Sequence, residues 1–117
     1  YASVFEKNNT AFMSRGLKIE KYTGARGKSG CSEATGDFIA EITDIFEKNS
    51  IPWQTGELGR IDAGGGGTIA AVMAELGMDV VDMGVPVWSM HAPVEVISKI
   101  DLYYLYLGYK AFIENIG

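Results

Sequence analysis

Residues 59–95 read GRIDAGGGGTIAAVMAELGMDVVDMGVPVWSMHAPVE, and this stretch decides the class of fold. Its four glycines, Gly64–Gly67, precede an apolar segment that predicts a helix from about Thr68 to Leu76. Gly77 stands where a glycine commonly ends a helix. The apolar run from Val80 to Val87 then predicts one or two buried strands. A glycine loop, a helix and a strand in this order are typical of α/β proteins.

The sequence on the N-terminal side continues this alternation of strands and helices. Residues 17–22, LKIEKY, alternate apolar and polar side chains, which predicts a strand with one buried face. Five apolar residues at helical spacing predict an amphipathic helix from about Gly36 to Lys48, with Thr35 as its N-cap. A short strand is expected within residues 52–58, and residues 2–13 are compatible with a helix.

The C-terminal segment predicts a long helix that ends at about Asn115. It begins with SKID, a capping box in which Ser98 offers its oxygen to the backbone and Asp101 reaches back. A wide apolar face is expected from Leu102, Leu105, Tyr106, Tyr109, Phe112 and Ile113. The tyrosines of this helix leave two interpretations open: the half-buried edge of a core, or a surface that packs on a partner protein.

These elements predict an α/β fold in which helices flank a mostly parallel or mixed central sheet. Neither a repeat nor a linker divides residues 1–117, so one structural unit is expected. The net charge of −5 argues against nucleic-acid binding, and no apolar run approaches the ~20 residues of a membrane span. The single cysteine, Cys31, excludes an internal disulfide and agrees with a cytoplasmic location.

The glycine run is the first candidate binding feature. Four glycines directly before a helix expose backbone N–H groups, which suits an anion, a carboxylate or a peptide backbone. The alternative is a tight turn, although one glycine would be enough for that. A non-catalytic module that binds an anion or a nucleotide therefore remains an alternative function for this chain. The GKS at residues 27–29 does not support it, because Tyr22 stands where a phosphate-binding P-loop requires glycine.

The second candidate is His91, the single histidine of the chain. A lone histidine after a strand is commonly a hydrogen-bonded structural residue. Two features favour a ligand: the end of a hydrophobic strand is where α/β folds place their sites, and Ala92-Pro93 fixes the direction of the chain after it. One imidazole cannot form a metal site by itself, so its partners are expected elsewhere.

Two motifs together resemble the aspartyl aminopeptidase / aminopeptidase I family of dinuclear zinc exopeptidases. They are D-x-GGGGTIA at residues 62–70 and D-x-G-x-P-x-x-S-M-H-A-P-x-E at residues 82–95. The segments YASVFEKNN and KYTGARGKSGCSEA are similar to the bacterial branch of that family. The resemblance implies an α/β/α sandwich, a cytoplasmic peptidase that forms large homo-oligomers, and a peptide substrate.

The resemblance also implies roles for single residues. His91 corresponds to the zinc ligand of the S-M-H motif, in an intact site with two zinc ions. Gly66, Gly67 and Thr68 would line the substrate pocket, and Asp62 would orient that loop or the substrate. The other metal ligands and the glutamate general base are expected before Tyr1. Residues 1–117 would then be a C-terminal segment of the catalytic domain, and this segment would be inactive alone. In the intact enzyme, a metal-activated water would attack the peptide bond.

One departure from the family pattern concerns substrate preference. Family members that prefer acidic N-terminal residues carry a lysine just after the strand that matches LKIEKY. Alignment through Gly16 places Glu20 at the position of that lysine, with Lys18 and Lys21 as neighbours. A glutamate repels an acidic side chain, so this position does not favour an acidic N-terminal residue and leaves a neutral or basic one open.

Overall fold

The computed structural model describes residues 5–23, 32–60 and 68–117. The strands in these ranges are β1 (Leu17–Glu20), β2 (Tyr22–Thr23), β3 (Ser32–Glu33), β4 (Trp53–Thr55), β5 (Asp82–Gly84), β6 (Val87–Trp88) and β7 (Val96–Ile97). The helices are α1 (Gly36–Lys48), α2 (Ala70–Glu75) and α3 (Lys99–Asn115), and a single 3₁₀ turn covers Lys7–Asn9. The element order confirms the α/β class.

The central sheet is mixed, with the strand order β4-β1-β5. β1 runs parallel to β4, with Leu17 opposite Trp53, and antiparallel to β5, with Glu20 opposite Asp82. The sequence predicted a sheet that is either mostly parallel or mixed. For the described strands, the mixed sheet is correct and the mostly parallel sheet is not. Two small antiparallel pairs, β2–β3 and β6–β7, stand beside the sheet.

One face of β1 forms the centre of the hydrophobic core. Leu17 and Ile19 are fully buried, since alternate residues of a strand point to the same side. α1 and α3 cover this face, and the buried residues they contribute are Ile42, Ile45, Phe46 and Ala111. Gly108 brings α3 especially close, because a Cβ at this position would lie 2.5 Å from Cδ2 of Leu17. The core therefore joins the two long helices to the central strand.

The two long helices have the bounds that the sequence predicts. α1 begins after Thr35, whose hydroxyl accepts a hydrogen bond from the Phe38 N–H at 3.3 Å, and this confirms the predicted N-cap. α3 ends at Asn115, also as predicted. α2 is shorter than predicted, and the chain turns after it at Gly77, where φ is +80°. None of the described helices is both long and apolar enough to cross a membrane.

The predicted helix over residues 2–13 is wrong for its described part, which holds only the 3₁₀ turn. The reason lies in Gln54 on β4. Its side-chain carboxamide accepts from the Phe12 N–H and donates to the Phe12 carbonyl, both at 2.8 Å. The backbone of this residue is thereby bonded to β4 and is not available to a helical hydrogen-bond pattern.

The predicted strand run from Val80 to Val87 is also interrupted. β5 covers only Asp82–Gly84, and its residues are half-buried. Pro86 follows, and because proline has no N–H to donate, it separates β5 from β6. The apolar composition of the run was therefore a correct indication of strands, but not of one buried strand.

The start of α3 differs from the predicted capping box. Ser98 is the N-cap residue but makes no capping hydrogen bond, and its hydroxyl lies 3.1 Å from that of Ser14. Asp101 is fully buried and accepts hydrogen bonds from the backbone N–H of Ser14 at 2.7 Å and of Gly16 at 2.9 Å. The carboxylate thus binds a distant turn, because that turn presents two N–H groups to it.

The predicted apolar face of α3 is only partly buried. Leu105 and Phe112 pack against the core, and Tyr104 lies at its edge. The other apolar residues are exposed to different degrees, from Tyr109 at 45% and Leu102 at 49% to Tyr106 at 60% and Ile113 at 74%. The apolar surface of the helix is therefore wider than the surface that β1 and α1 cover.

We expect Asp101→Asn to lower the free energy of unfolding by about 2 kcal/mol or more, because an NH₂ group would then face backbone N–H donors in a buried position. Denaturant unfolding measures this. Asp44→Asn is the matched control: Asp44 lies on α1 and forms an exposed ion pair with Lys48 at 2.6 Å. The control should change stability by less than about 0.5 kcal/mol, and equal losses in the two variants would contradict the role of Asp101.

Candidate functional site

The predicted site residues divide into two groups. Asp62, Gly66 and Gly67 lie outside the described residues. Thr68 and His91 are described, at the start of α2 and between β6 and β7 respectively. No hydrogen bond joins these two residues to each other within residues 68–117.

His91 lies on the loop of a small hairpin. β6 and β7 pair antiparallel, with Trp88 opposite Val96, so residues 89–95 form a connecting loop. The Ala92 N–H donates to the Ser89 carbonyl at 2.9 Å, which closes a tight turn around His91. His91 itself has a φ of +67°, in the left-handed region that residues with a Cβ seldom adopt. The backbone is thus bent sharply at the predicted ligand.

The side chain of His91 is exposed and available. Its backbone N–H donates to Oε1 of Glu95, but neither ring nitrogen has a hydrogen-bond partner in the part of the chain that the structure describes. A neutral imidazole with a free nitrogen is a good zinc ligand. The residue therefore fits a role as one donor to a metal ion.

Further donors for a metal are not gathered around it. Across residues 5–23, 32–60 and 68–117, no group of three or more His, Cys, Asp and Glu side chains is suited to hold a metal ion. Zinc sites in proteins use three or four protein ligands. The described residues consequently offer a single ligand that requires others from elsewhere.

Thr68 is fixed by two hydrogen bonds at the end of the glycine run. Its hydroxyl donates to Oδ2 of Asp82 at 2.7 Å and accepts from the Ala70 N–H at 3.1 Å. Asp82 lies opposite Glu20, so both point to the sheet face away from Leu17. The hydrogen bond thereby brings the start of α2 to the face that α1 and α3 do not cover.

Acidic residues and one lysine gather on this second face of the sheet. Lys18 and Glu20 form an ion pair at 2.8 Å, and both side chains are mostly buried. Glu57, just beyond β4, accepts a hydrogen bond from the Lys21 N–H at 3.3 Å. Burial, and after it the negative charge of Glu20, raises the pKa of Glu57 from its ordinary value of 4.5 to about 7. The Lys21 N–H and the charge of Lys18 oppose that rise only in part.

Sequence reasoning did not single out Asp82, Glu95 or Glu57. Both Asp82 and Glu95 stand within the quoted motif. Asp82 is fourteen positions from Thr68 and Glu95 is four positions from His91, and the hydrogen bonds within these two pairs became evident only in the folded chain. Glu57 meets Glu20 because β4 and β1 are neighbours in the sheet. Only the pairing of the strands, which sequence alone did not reveal, brings those two carboxylates together.

The raised pKa of Glu57 predicts a pH-dependent stability. Its charge is disfavoured in the folded protein, so its contribution to stability is full below pH 4.5 and is lost as pH rises through about 7. Glu57→Gln removes this loss. The melting temperature of the variant should therefore match that of the parent protein near pH 4.5 and exceed it increasingly up to pH 8.

The control for that prediction is Glu41→Gln, on the exposed side of α1. Thermal melts of the parent protein and the two variants between pH 4.5 and pH 8 test the prediction. A difference between Glu57→Gln and the parent protein that stays constant with pH, or that Glu41→Gln reproduces, would contradict the assignment.

Comparison with known proteins agrees with the resemblance in sequence. A family model described as aminopeptidase I zinc metalloprotease (M18) matches residues 1–113. A protein named "probable M18 family aminopeptidase 1" from Clostridium acetobutylicum is 52% identical over 115 residues, covering 98% of this chain and 25% of that protein. Its namesake from Thermotoga maritima is 40% identical over 116 residues, covering 99% of this chain and 26% of that protein.

Solved structures agree as well. The crystal structure of aminopeptidase I from Clostridium acetobutylicum matches with a TM-score of 0.89 and 52% identity, over 98% of this chain and 25% of that one. The M18-family aminopeptidase from Thermotoga maritima matches with a TM-score of 0.88 and 40% identity, over 97% and 25% of the two chains. The chain thus spans about a quarter of the length of these relatives. Since the family model covers nearly all of its residues, the chain belongs to the aminopeptidase I (M18) family of zinc metalloproteases.

Proposed function

We propose that this chain is a C-terminal segment of the catalytic domain of a zinc-dependent aminopeptidase, which removes N-terminal residues from peptides. Membership of the family supports the class of reaction. The observation that carries the assignment is the exposed imidazole of His91, whose ring nitrogens are without partners among the described residues and whose backbone is held in a tight turn. The remaining ligands and the general base would come from residues outside this chain.

His91 would hold one of two zinc ions through a neutral ring nitrogen. Zinc at such a site supplies Lewis acidity, which polarises the scissile carbonyl and makes a water molecule easier to deprotonate. The exposed position of His91 suits this role, because residues from other parts of the intact protein can approach the ring. Its second ring nitrogen needs an acceptor to select the tautomer, and that acceptor would also come from outside the described residues.

The glycine run with Asp62 would contact the substrate, and Gly66 and Gly67 would allow a peptide backbone to approach closely. Thr68 has a narrower role. Its hydroxyl already donates to Asp82 and accepts from the Ala70 N–H, so its side chain holds the end of the run in place. We therefore assign its contact with substrate to the backbone.

For the substrate's N-terminal side chain we infer a neutral or basic preference. Glu20 and Glu57 lie close enough for their charges to interact, since the negative charge of Glu20 is, after burial, the second cause of the raised pKa of Glu57. A third carboxylate from an acidic substrate would add to this repulsion. Lys18 offsets this repulsion only in part, because the same lysine forms an ion pair with Glu20.

We also infer that the intact protein is larger than this segment and forms a cytoplasmic homo-oligomer. Large apolar side chains are exposed on three elements; they include Ile69 and Val72 near α2, Trp88 on β6, and Tyr106 and Ile113 on α3. Soluble proteins seldom leave extended apolar surface uncovered. The rest of the polypeptide and neighbouring subunits would cover it.

His91→Ala in the intact protein tests the proposal. We expect zinc content to fall from about two ions per chain toward one, and aminopeptidase activity to fall by more than about 100-fold. Elemental analysis and hydrolysis of aminoacyl substrates measure the two effects. Met90→Ala, on the same exposed turn, is the control and should retain both. Full zinc content in His91→Ala would refute the assignment, and nucleotide binding without zinc would favour the anion-binding alternative.

A further inference from the structure

We propose that Glu95 is a positioning residue for His91: its carboxylate holds the backbone of His91 in the conformation that presents the imidazole to a metal ion. The inference rests on the proposed function, because it needs His91 to be a ligand. It adds a residue whose side chain would act through the backbone of that ligand and not through its ring.

The first observation is the conformation of the loop. Ser89 and His91 both have positive φ, at +58° and +67°, although neither is glycine. Such conformations are unfavourable for residues with a Cβ and persist only where the surroundings determine them. Two of them within three residues require specific restraints on this turn.

The second observation is that two hydrogen bonds supply those restraints. The Ala92 N–H donates to the Ser89 carbonyl at 2.9 Å, and the His91 N–H donates to Oε1 of Glu95. A hydrogen bond from a backbone N–H to a carboxylate is among the stronger kinds, because the acceptor is charged. The loop residues are exposed, so packing contributes little and the hydrogen bonds carry most of the restraint.

The third observation is where Glu95 itself is fixed. It directly precedes β7, whose Val96 pairs with Trp88 of β6. Pro93 stands between it and His91 and restricts the backbone of the intervening residues. The carboxylate of Glu95 therefore links the end of the loop beside β7 to the turn at His91. Through this hydrogen bond, the position of the strand pair determines the direction of the imidazole.

The consequence concerns zinc affinity. A ligand whose backbone is already fixed loses little conformational freedom when it binds, so its affinity is higher. Without the carboxylate, the His91 N–H is released to water and the left-handed conformation loses its restraint. The imidazole would then occupy several directions, and zinc would bind less tightly even though every ligand is still present.

The experiment uses the intact protein with Glu95→Ala, Glu95→Gln and the control Glu114→Ala, which removes an exposed glutamate from α3. Competition with a chelator gives the zinc Kd, and amide hydrogen exchange reports on the His91 N–H. Glu95→Ala should raise the Kd by about tenfold or more and speed that exchange. Glu95→Gln retains a side-chain oxygen acceptor and should restore both, while Glu114→Ala should match the parent protein.

A zinc Kd in Glu95→Ala equal to that of Glu114→Ala would overturn the inference, and so would a glutamine variant as weak as the alanine variant. Thermal melts show whether each variant is folded at the temperature of the measurement; if Glu95→Ala is not, Glu95→Leu takes its place. His91→Ala distinguishes a failure of the positioning role from a failure of the proposed function. Loss of zinc there with normal binding in Glu95→Ala refutes only the positioning role, whereas full zinc content in His91→Ala refutes the proposed function.

Discussion

Two hydrogen bonds to one buried carboxylate connect the C-terminal helix to the central strand. Asp101 lies in the first turn of α3, and it binds the backbone of the turn that leads into β1. The same carboxylate thus fixes where the strand begins and where the helix begins, although 85 positions separate Gly16 from Asp101. Leu17 follows directly, and the core is assembled around it. The position of α3 relative to β1 therefore depends on this connection.

The connection also places the candidate site. β7 ends directly before Ser98, the N-cap residue of α3, so the hairpin that carries His91 is attached to the end of the helix that Asp101 binds to the Ser14–Gly16 turn. The strand pair is short, and the residues of its loop are exposed. This arrangement offers an imidazole on a fixed base with open space around it. Such a residue is suited to a site that several parts of a longer protein complete.

Local signals in the sequence were enough for much of the fold. The bounds of α1 and α3, the cap at Thr35 and the glycine at the end of α2 all follow from periodicity and end signals, which act over a few residues. The failures have another origin. Asp101 appeared to belong to a capping box, and Phe12 to a helix, because their real partners, the turn at Ser14–Gly16 and Gln54, are distant in sequence.

The candidate site shows the same division. His91 and Thr68 could be selected from motifs, since strand ends and glycine loops have recognisable sequences. Their supports could not be selected so directly. Asp82 reaches Thr68 across 14 positions, and Glu57 meets Glu20 only because two strands pair. Glu95 is the exception, since it lies four residues from His91, but its role depends on a backbone conformation that no sequence pattern specified.

The close approach at Gly108 has a consequence for how α3 is aligned along its own axis. A Cβ at Gly108 would already require the buried side chain of Leu17 to shift, and the neighbours of Gly108 in sequence are the much larger Leu107 and Tyr109. Sliding the helix by a single residue would bring one of these large side chains against Leu17. Gly108 therefore selects one alignment of α3 along the sheet, among several that the wide apolar surface of the helix would otherwise allow.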